Sequence, residues 1–184
     1  MNLTVKAARP TARAAIIDAA ILVLAKNLSA TTSEIALTAG VGRATLHRHF
    51  RSRDELIQAI QTQCIEETNV AVLATDLVSA TALERLHNLF SAVIPLGDRY
   101  HFLHHEGSGS DEVIQQYQRE LKWTNLLVKQ LQNEGAIAEN VPVRWAVAQI
   151  DQLIWTAWNE VAAGRLAMAD APDLAVRTFT RGLG

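Results

Sequence analysis

The sequence predicts an all-α fold, and three observations support this prediction. Apolar residues recur at three- and four-residue spacing along almost the whole chain, which is the period of an amphipathic helix. Three such stretches follow a Ser/Thr-x-x-Glu pattern, the capping box that starts a helix. No segment shows the strict apolar–polar alternation of a half-buried strand. With 184 residues, 49% of them hydrophobic, the chain is long enough to bury a sizeable core.

The first predicted helix covers Ala14–Asn27. Ile17, Ile21, Leu24 and Leu28 follow one another at steps of four, three and four, so they form one apolar stripe. We expect this stripe to face the core.

Two short helices are predicted next, joined by a tight turn. Thr31 and Glu34 form the first capping box, and Gly40 ends the helix that this box starts, because glycine adopts positive φ without steric cost. The second short helix covers Arg43–His49. This pattern is typical of a helix-turn-helix, whose second helix can enter a DNA major groove.

The second short helix also carries the candidate DNA-binding side chains. Leu46 and Phe50 lie four residues apart and are expected to form its buried face. The remaining positions offer cations and hydrogen-bond donors. These candidates are Arg43, Thr45, His47, Arg48 and His49.

Charge is distributed unevenly along the chain. Residues 1–53 have a net charge of +6, whereas residues 54–184 have a net charge of −8. A basic N-terminal third favours a polyanionic partner, although charge alone leaves chance clustering on a solvated face as an alternative.

The rest of the chain is predicted to form longer helices. They run from the Ser52–Glu55 capping box toward Ala74, from the Thr81–Glu84 capping box to Pro95 and Gly97, over Arg99–Glu106, from Ser110 to near Gly135, from Pro142 onward, and from Asp170 to Leu183. The sign of the charge changes just after Ser52. We therefore predict an N-terminal domain at residues 1–52 and a helical domain at residues 53–184.

Residues 31–60, TTSEIALTAGVGRATLHRHFRSRDELIQAI, resemble the DNA-binding segment of the TetR family of bacterial transcriptional regulators. The shared features are a Thr-rich start, an Ile-Ala pair, Ala-Gly-Val, a Thr-Leu run that ends in His-Phe, and a Ser-basic pair before Leu. His47 stands where the family usually has Tyr, and Gly42 where it often has Ser. Beyond about residues 10–60, only the helical layout, the length and the ending Arg181-Gly182-Leu183 agree.

This resemblance implies both a fold and a mechanism. A three-helix N-terminal domain would bind DNA, and a long fourth helix would lead to a helical ligand-binding and dimerisation domain, whose last two helices pair with a second identical subunit. A small-molecule effector would change the spacing of the two recognition helices. By analogy, Thr32 and Ser33 would contact phosphate, Arg43 and Thr45 would approach bases, and Arg53 would replace a phosphate-binding Lys.

Two clusters in the second domain have alternative interpretations. His101, His104 and His105 share a helical face and could hold Zn²⁺ or Ni²⁺, line an effector cavity, or face solvent. The tryptophans of the helix after Pro142 indicate core or dimer packing, or an aromatic pocket wall. The ligand-binding candidates are Phe90, Ile94, Tyr100, His101, His104, Tyr117, Leu121, Trp155 and Trp158.

Other classes of protein lack support in the sequence. The single Cys64 excludes an intrachain disulfide, and no catalytic or cofactor motif occurs, so we expect neither an enzyme nor a cofactor. Leu86–Gly97, the longest uncharged run, has twelve residues, well short of the roughly 20 that cross a membrane. No signal peptide is evident at the N-terminus, which favours a cytoplasmic protein.

We therefore predict a cytoplasmic, ligand-responsive transcriptional repressor that binds a palindromic, double-stranded DNA operator as a homodimer. One alternative is a helical small-molecule-binding or interaction protein without specific DNA binding. Another is a helical metalloenzyme built on the histidine cluster.

Overall fold

A computed structural model describes residues 11–76, 81–97, 99 and 111–184. Within these ranges the regular structure is helical and no strand occurs, which confirms the predicted fold class. The helices, in chain order, are α1 (Ala12–Leu24), α2 (Thr32–Thr38), α3 (Arg43–His49), α4 (Arg53–Asp76), α5 (Ala82–Val93), α6 (Asp111–Asn133), α7 (Val143–Ala162) and α8 (Ala171–Leu183). A 3-10 turn, Ile94–Leu96, follows α5 directly.

The chain divides into two compact units, Met1–Ile60 and Gln61–Gly184. The division lies inside α4, eight residues after the predicted boundary at Ser52. The first turns of α4 therefore pack with α1–α3. The capping Ser52 starts this helix, because its hydroxyl accepts a hydrogen bond from the Glu55 N–H at 3.1 Å. The Glu55 carboxylate accepts from the Arg51 N–H at 2.7 Å, one residue away from the partner that a capping box would use.

The apolar stripe of α1 lies in the core of the first unit, with one exception. Ile17, Ile21 and Leu24 are fully buried, as predicted, but Leu28 is 44% exposed. The prediction that the helix continues through Asn27 was wrong, because α1 ends at Leu24. The Asn27 side chain accepts hydrogen bonds from the Ser29 N–H and hydroxyl, at 3.1 and 2.7 Å. Such side-chain bonds stabilise a turn in competition with the helix.

The core of the second unit is formed by α5 to α8 together with the 3-10 turn. Leu86, Phe90, Leu131 and Phe179 are buried at its centre. The predicted capping box of Thr81 and Glu84 is present in full at the start of α5.

The chain after α5 approaches α7 closely at Gly97. A Cβ atom built on Gly97 would overlap the Cβ and indole atoms of Trp158. The sequence indicated only that Pro95 and Gly97 end the helix. The structure adds a steric reason for glycine, since Trp158 occupies the space that a side chain would need.

The predicted short helix Arg99–Glu106, apart from Arg99, and the predicted Ser110 cap lie outside the described residues. Arg99 forms an ion pair with Glu67 of α4. No helix in the described part of the chain is long and apolar enough to cross a membrane.

Candidate nucleic-acid interface and cavity

The turn between α2 and α3 has the geometry that the sequence predicted. Gly40 has φ +68°, in the left-handed region where glycine is favoured. The Val41 N–H donates to the Ala36 carbonyl at 3.0 Å, and the Gly40 N–H donates to the Leu37 carbonyl at 3.1 Å. These two bonds form a Schellman motif, which ends α2 and redirects the chain into α3.

The start of α2 is fixed by the predicted capping box. The Glu34 N–H donates to the Thr31 hydroxyl at 3.3 Å, and the Glu34 carboxylate accepts from the Thr31 N–H at 2.6 Å. The hydrogen bond from the Thr31 backbone, and then that from its hydroxyl, hold the pKa of Glu34 below its usual value. The contribution of this cap to stability is therefore present at neutral pH and is lost as pH falls through that lowered pKa.

The two faces of α3 differ in burial. Leu46 and the following Phe50 are buried, as predicted, and the Arg13 guanidinium lies 5.4 Å from the centre of the Phe50 ring. The opposite face is open to solvent. There Arg43, His47 and Arg48 are exposed, whereas Thr45 and His49 are half-buried.

Two further predicted DNA contacts lie at the start of α2, where Ser33 is exposed and Thr32 is half-buried. The helix thus presents a hydroxyl and its first N–H groups at one end. Contact of Thr32 and Ser33 with phosphate stays a prediction.

Arg53 has a structural role that the sequence did not indicate. Its guanidinium donates to the carbonyl of Ala30, at 2.6 Å, and to the carbonyl of Leu28. These bonds connect the start of α4 to the loop between α1 and α2, one residue before the capping Thr31. Contact of Arg53 with phosphate stays a prediction, and the same side chain holds the loop that positions α2.

A matched pair of substitutions tests the turn. We expect Gly40→Ser to destabilise the first unit by about 1–2 kcal/mol, because serine is strained at positive φ. Gly42→Ser should stabilise it by a few tenths of a kcal/mol, because Gly42 has φ −70° and caps α3 without a side-chain bond. A Cβ atom meets nothing within 4 Å at either position, so packing does not confound the comparison.

Hydrogen exchange of the peptide covering residues 31–50, measured against denaturant concentration, reports this stability locally. Equal effects of the two substitutions would contradict the role given to Gly40.

The second unit contains a cavity of about 300 Å³ between α4, α5, α6 and α7. Its wall is mainly apolar. It is lined by Thr68, Asn69, Val72, Leu73, Leu89, Val93, Trp123, Thr124, Ile150, Asp151 and Ile154. This size is at the lower end of the range for small-molecule sites.

The ligand-binding candidates on α5, α6 and α7 lie on helices that border the cavity, but other residues of these helices line it. Phe90 and Ile94 are fully buried in the core, and their neighbours Leu89 and Val93 line the cavity instead. Leu121 and Trp158 also pack against the core rather than line the cavity. Trp155 is half-buried and contacts Trp158, with 5.2 Å between the ring centres, and it does not line the cavity either.

The remaining predicted ligand contacts cannot be placed against this cavity. Tyr100, His101, His104 and the side chain of Tyr117 lie outside the described residues, as does His105 of the predicted histidine cluster. Among the residues that are described, no three His, Cys, Asp or Glu side chains cluster as metal ligands would.

Sequence alone did not indicate Trp123 and Asp151. One signal was available, since Asp151 is the only acidic residue in the apolar stretch from Val143 to Trp158. A single acidic side chain on a mostly apolar helix needs a polar group or water beside it, because burying a charge without a partner is costly.

The geometry defines a class of protein. A short helix with a buried apolar face and an exposed cationic face follows a glycine turn, and a helical unit with its own cavity comes after it. This is the organisation of a helix-turn-helix regulatory protein. Residues 16–60 match the family described as "Bacterial regulatory proteins, tetR family". This match lies within the first unit of the chain.

Similar proteins agree with this match. The chain is 36% identical over 101 residues to the transcriptional repressor LfrR of Mycolicibacterium smegmatis, covering 55% of this chain and 53% of LfrR. It is 42% identical over 60 residues to the transcriptional regulator NfxB of Pseudomonas aeruginosa, covering 33% and 32% of the two chains. The chain thus spans about half or less of these relatives.

The similarity in structure extends further along the chain. The crystal structure of LfrR from Mycobacterium smegmatis in complex with proflavine superposes with a TM-score of 0.74 and 25% identity. It covers 94% of this chain and 97% of that one. The helical second unit is therefore also shared.

Proposed function

We propose that this chain is a ligand-responsive transcriptional repressor that binds a palindromic operator as a homodimer. The observation that carries the proposal is the exposed cationic face of α3 behind a well-formed Schellman turn. A helix presented in this way can insert its N-terminal residues into the major groove. The assignment as a repressor is supported by LfrR, which is named a transcriptional repressor and is 36% identical to this chain over 101 residues.

Each side chain has a proposed role at the interface. Arg43 and Thr45, in the first turn of α3, approach base edges, while His47, Arg48 and His49 supply further contacts along the helix. Thr32, Ser33 and Arg53 contact phosphates. Arginine suits guanine, because its two donors match the O6 and N7 acceptors in the major groove.

Dimerisation is supported by apolar side chains on the last two helices. Trp145 of α7 is 57% exposed, and Leu174 of α8 is 43% exposed. An exposed tryptophan on a helix favours an interface. A single short helix reads few base pairs, whereas two copies on an inverted repeat add their contributions.

The cavity is the proposed effector site. The crystal structure of LfrR contains proflavine, which supports a small-molecule ligand for the second unit of this chain as well. The four helices around the cavity include α4, whose first turns belong to the DNA-binding unit. A ligand between these helices would therefore act on α4, which is continuous with the DNA-binding unit. The proposed location is the cytoplasm, where this protein would meet DNA.

Selection from a pool of random duplexes tests the proposal. We expect recovery of an inverted repeat whose half-sites are about one helical turn apart, with two chains bound to each duplex by sedimentation. Absence of any preferred sequence, together with a monomeric chain, would instead favour a helical small-molecule-binding protein without specific DNA binding.

A further inference from the structure

The proposed recognition helix α3 is short, and few side chains hold it in place. Within its seven residues, all of which the structure describes, Leu46 alone is buried. The second apolar anchor is Phe50, which directly follows the helix and is 2% exposed. Its N–H donates to the Leu46 carbonyl at 2.9 Å and so ends α3. The direction in which α3 presents its exposed face therefore depends on the packing of Leu46 and Phe50.

The ring of Phe50 is covered by an arginine from another helix. Arg13 lies in the first turn of α1, and the central carbon of its guanidinium is 5.4 Å from the centre of the Phe50 ring. A cation is attracted to the face of an aromatic ring within about 6 Å of the ring centre. This contact connects the start of α1 to the end of α3.

The position of Arg13 in α1 is unfavourable for a cation. The first turn of a helix carries the positive end of the helix dipole, which favours acidic side chains and disfavours basic ones. The first turn of α1 contains no acidic residue, and Thr11 caps the helix by accepting from the Ala14 N–H at 3.3 Å. The contact with Phe50 therefore explains an arginine at this position better than the stability of α1 does.

An exposed arginine in a basic unit can serve DNA binding in two ways. A phosphate contact adds affinity for every duplex and carries no sequence information. A support for α3 acts on the base contacts, because these depend on the exact position of the helix, whereas attraction to phosphates tolerates a small shift. The placement of the Arg13 guanidinium over the Phe50 ring favours the second role.

We propose that Arg13 is a positioning residue, which holds the end of α3 through the ring of Phe50 and thereby sets the sequence specificity of DNA binding. The specificity part of this inference rests on the proposed function. The support of α3 is a property of the chain without DNA.

Binding of Arg13→Gln to two duplexes separates positioning from phosphate contact. At exposed sites a cation–ring attraction corresponds to about two- to fivefold in an equilibrium constant, and a homodimer has two such contacts. We therefore expect the ratio of the affinities for the selected palindrome and a scrambled duplex to fall about 10-fold. The salt slope on the scrambled duplex should change by less than about one.

Two results of this titration would overturn the proposal. One is a fall in the affinity ratio of less than about threefold. The other is a salt slope reduced by about two, as one phosphate contact in each subunit would require. A variant that merely lost folded protein would lower both apparent affinities alike, so the ratio reports positioning and not stability.

A double-mutant cycle tests whether Arg13 acts through the ring. Phe50→Leu keeps an apolar anchor but removes the aromatic face. In that background Arg13→Gln should change the affinity ratio by less than about twofold. Lys26→Gln is the control, since Lys26 is exposed just after α1 and its replacement removes the same charge without changing the ratio. A full effect of Arg13→Gln in the Phe50→Leu background would contradict action through the ring.

Hydrogen exchange without DNA tests the support of α3 directly and needs only Arg13→Gln. We expect the peptide covering residues 43–50 to exchange about threefold faster in this variant than in the unaltered chain, because the end of α3 opens more often. Unchanged exchange would overturn the proposal. Faster exchange in a chain that selects no duplex would reject the DNA-binding function and the effect on specificity. A selected palindrome with an unchanged affinity ratio would reject the role of Arg13 alone.

Discussion

Arg43→Ala is expected to weaken binding to the selected palindrome by about 30-fold or more, a loss of at least 2 kcal/mol. Arg43 is exposed in the first turn of α3, where the proposed interface approaches base edges. A good contact from arginine to a base contributes about 1–3 kcal/mol, and a homodimer loses two such contacts. Thr45→Ala should act in the same direction by a smaller amount.

Arg53→Ala should behave differently from Arg43→Ala. If Arg53 contacts phosphate, the substitution weakens binding to every duplex alike and reduces the salt slope by about two, one for each subunit. Arg53→Lys keeps the charge but cannot donate to the carbonyls of Ala30 and Leu28 together. It should restore the salt slope and leave the loop before α2 less protected from hydrogen exchange.

Titrations at several salt concentrations, on the selected palindrome and on a scrambled duplex, separate these roles. Lys129→Ala is the control. Lys129 is an exposed residue of α6 in the second unit, so its replacement should change neither binding curve. Arg43→Ala would lose its assigned role if both duplexes were weakened equally.

Local signals allowed most of the first unit to be predicted from the sequence. The Thr31–Glu34 box and the turn at Gly40 depend on residues within a few positions of one another, so their geometry follows from local chemistry. The side chain of Arg53 is the exception. Its partners are 23 and 25 residues away, and no local pattern identifies a bond over that separation.

The cavity could not be predicted in the same way. Helical periodicity identified the apolar face of α5, but Leu89 and Phe90 lie on that same broad face. Which of them borders a space is decided by the positions of α4, α6 and α7. Periodicity carries no information on those positions.

Phe90, which the sequence favoured as a ligand contact, lies in the core of the second unit. We expect Phe90→Ala to lower the free energy of unfolding of the second unit by about 3–5 kcal/mol, because it leaves a cavity where the ring is fully buried. Leu73→Ala is the contrast. Leu73 lines the cavity but is 61% exposed, so its removal should cost no more than about 1 kcal/mol.

Tryptophan fluorescence during urea unfolding measures both effects in the correct unit. All four tryptophans of the chain lie between residues 123 and 158, inside the second unit, so the signal is not mixed with unfolding of α1–α3. Protein concentration must be held constant, because a dimer gains apparent stability as concentration rises. A loss below about 1 kcal/mol for Phe90→Ala would show that the ring borders a space after all, since only a tightly packed phenylalanine leaves a costly void.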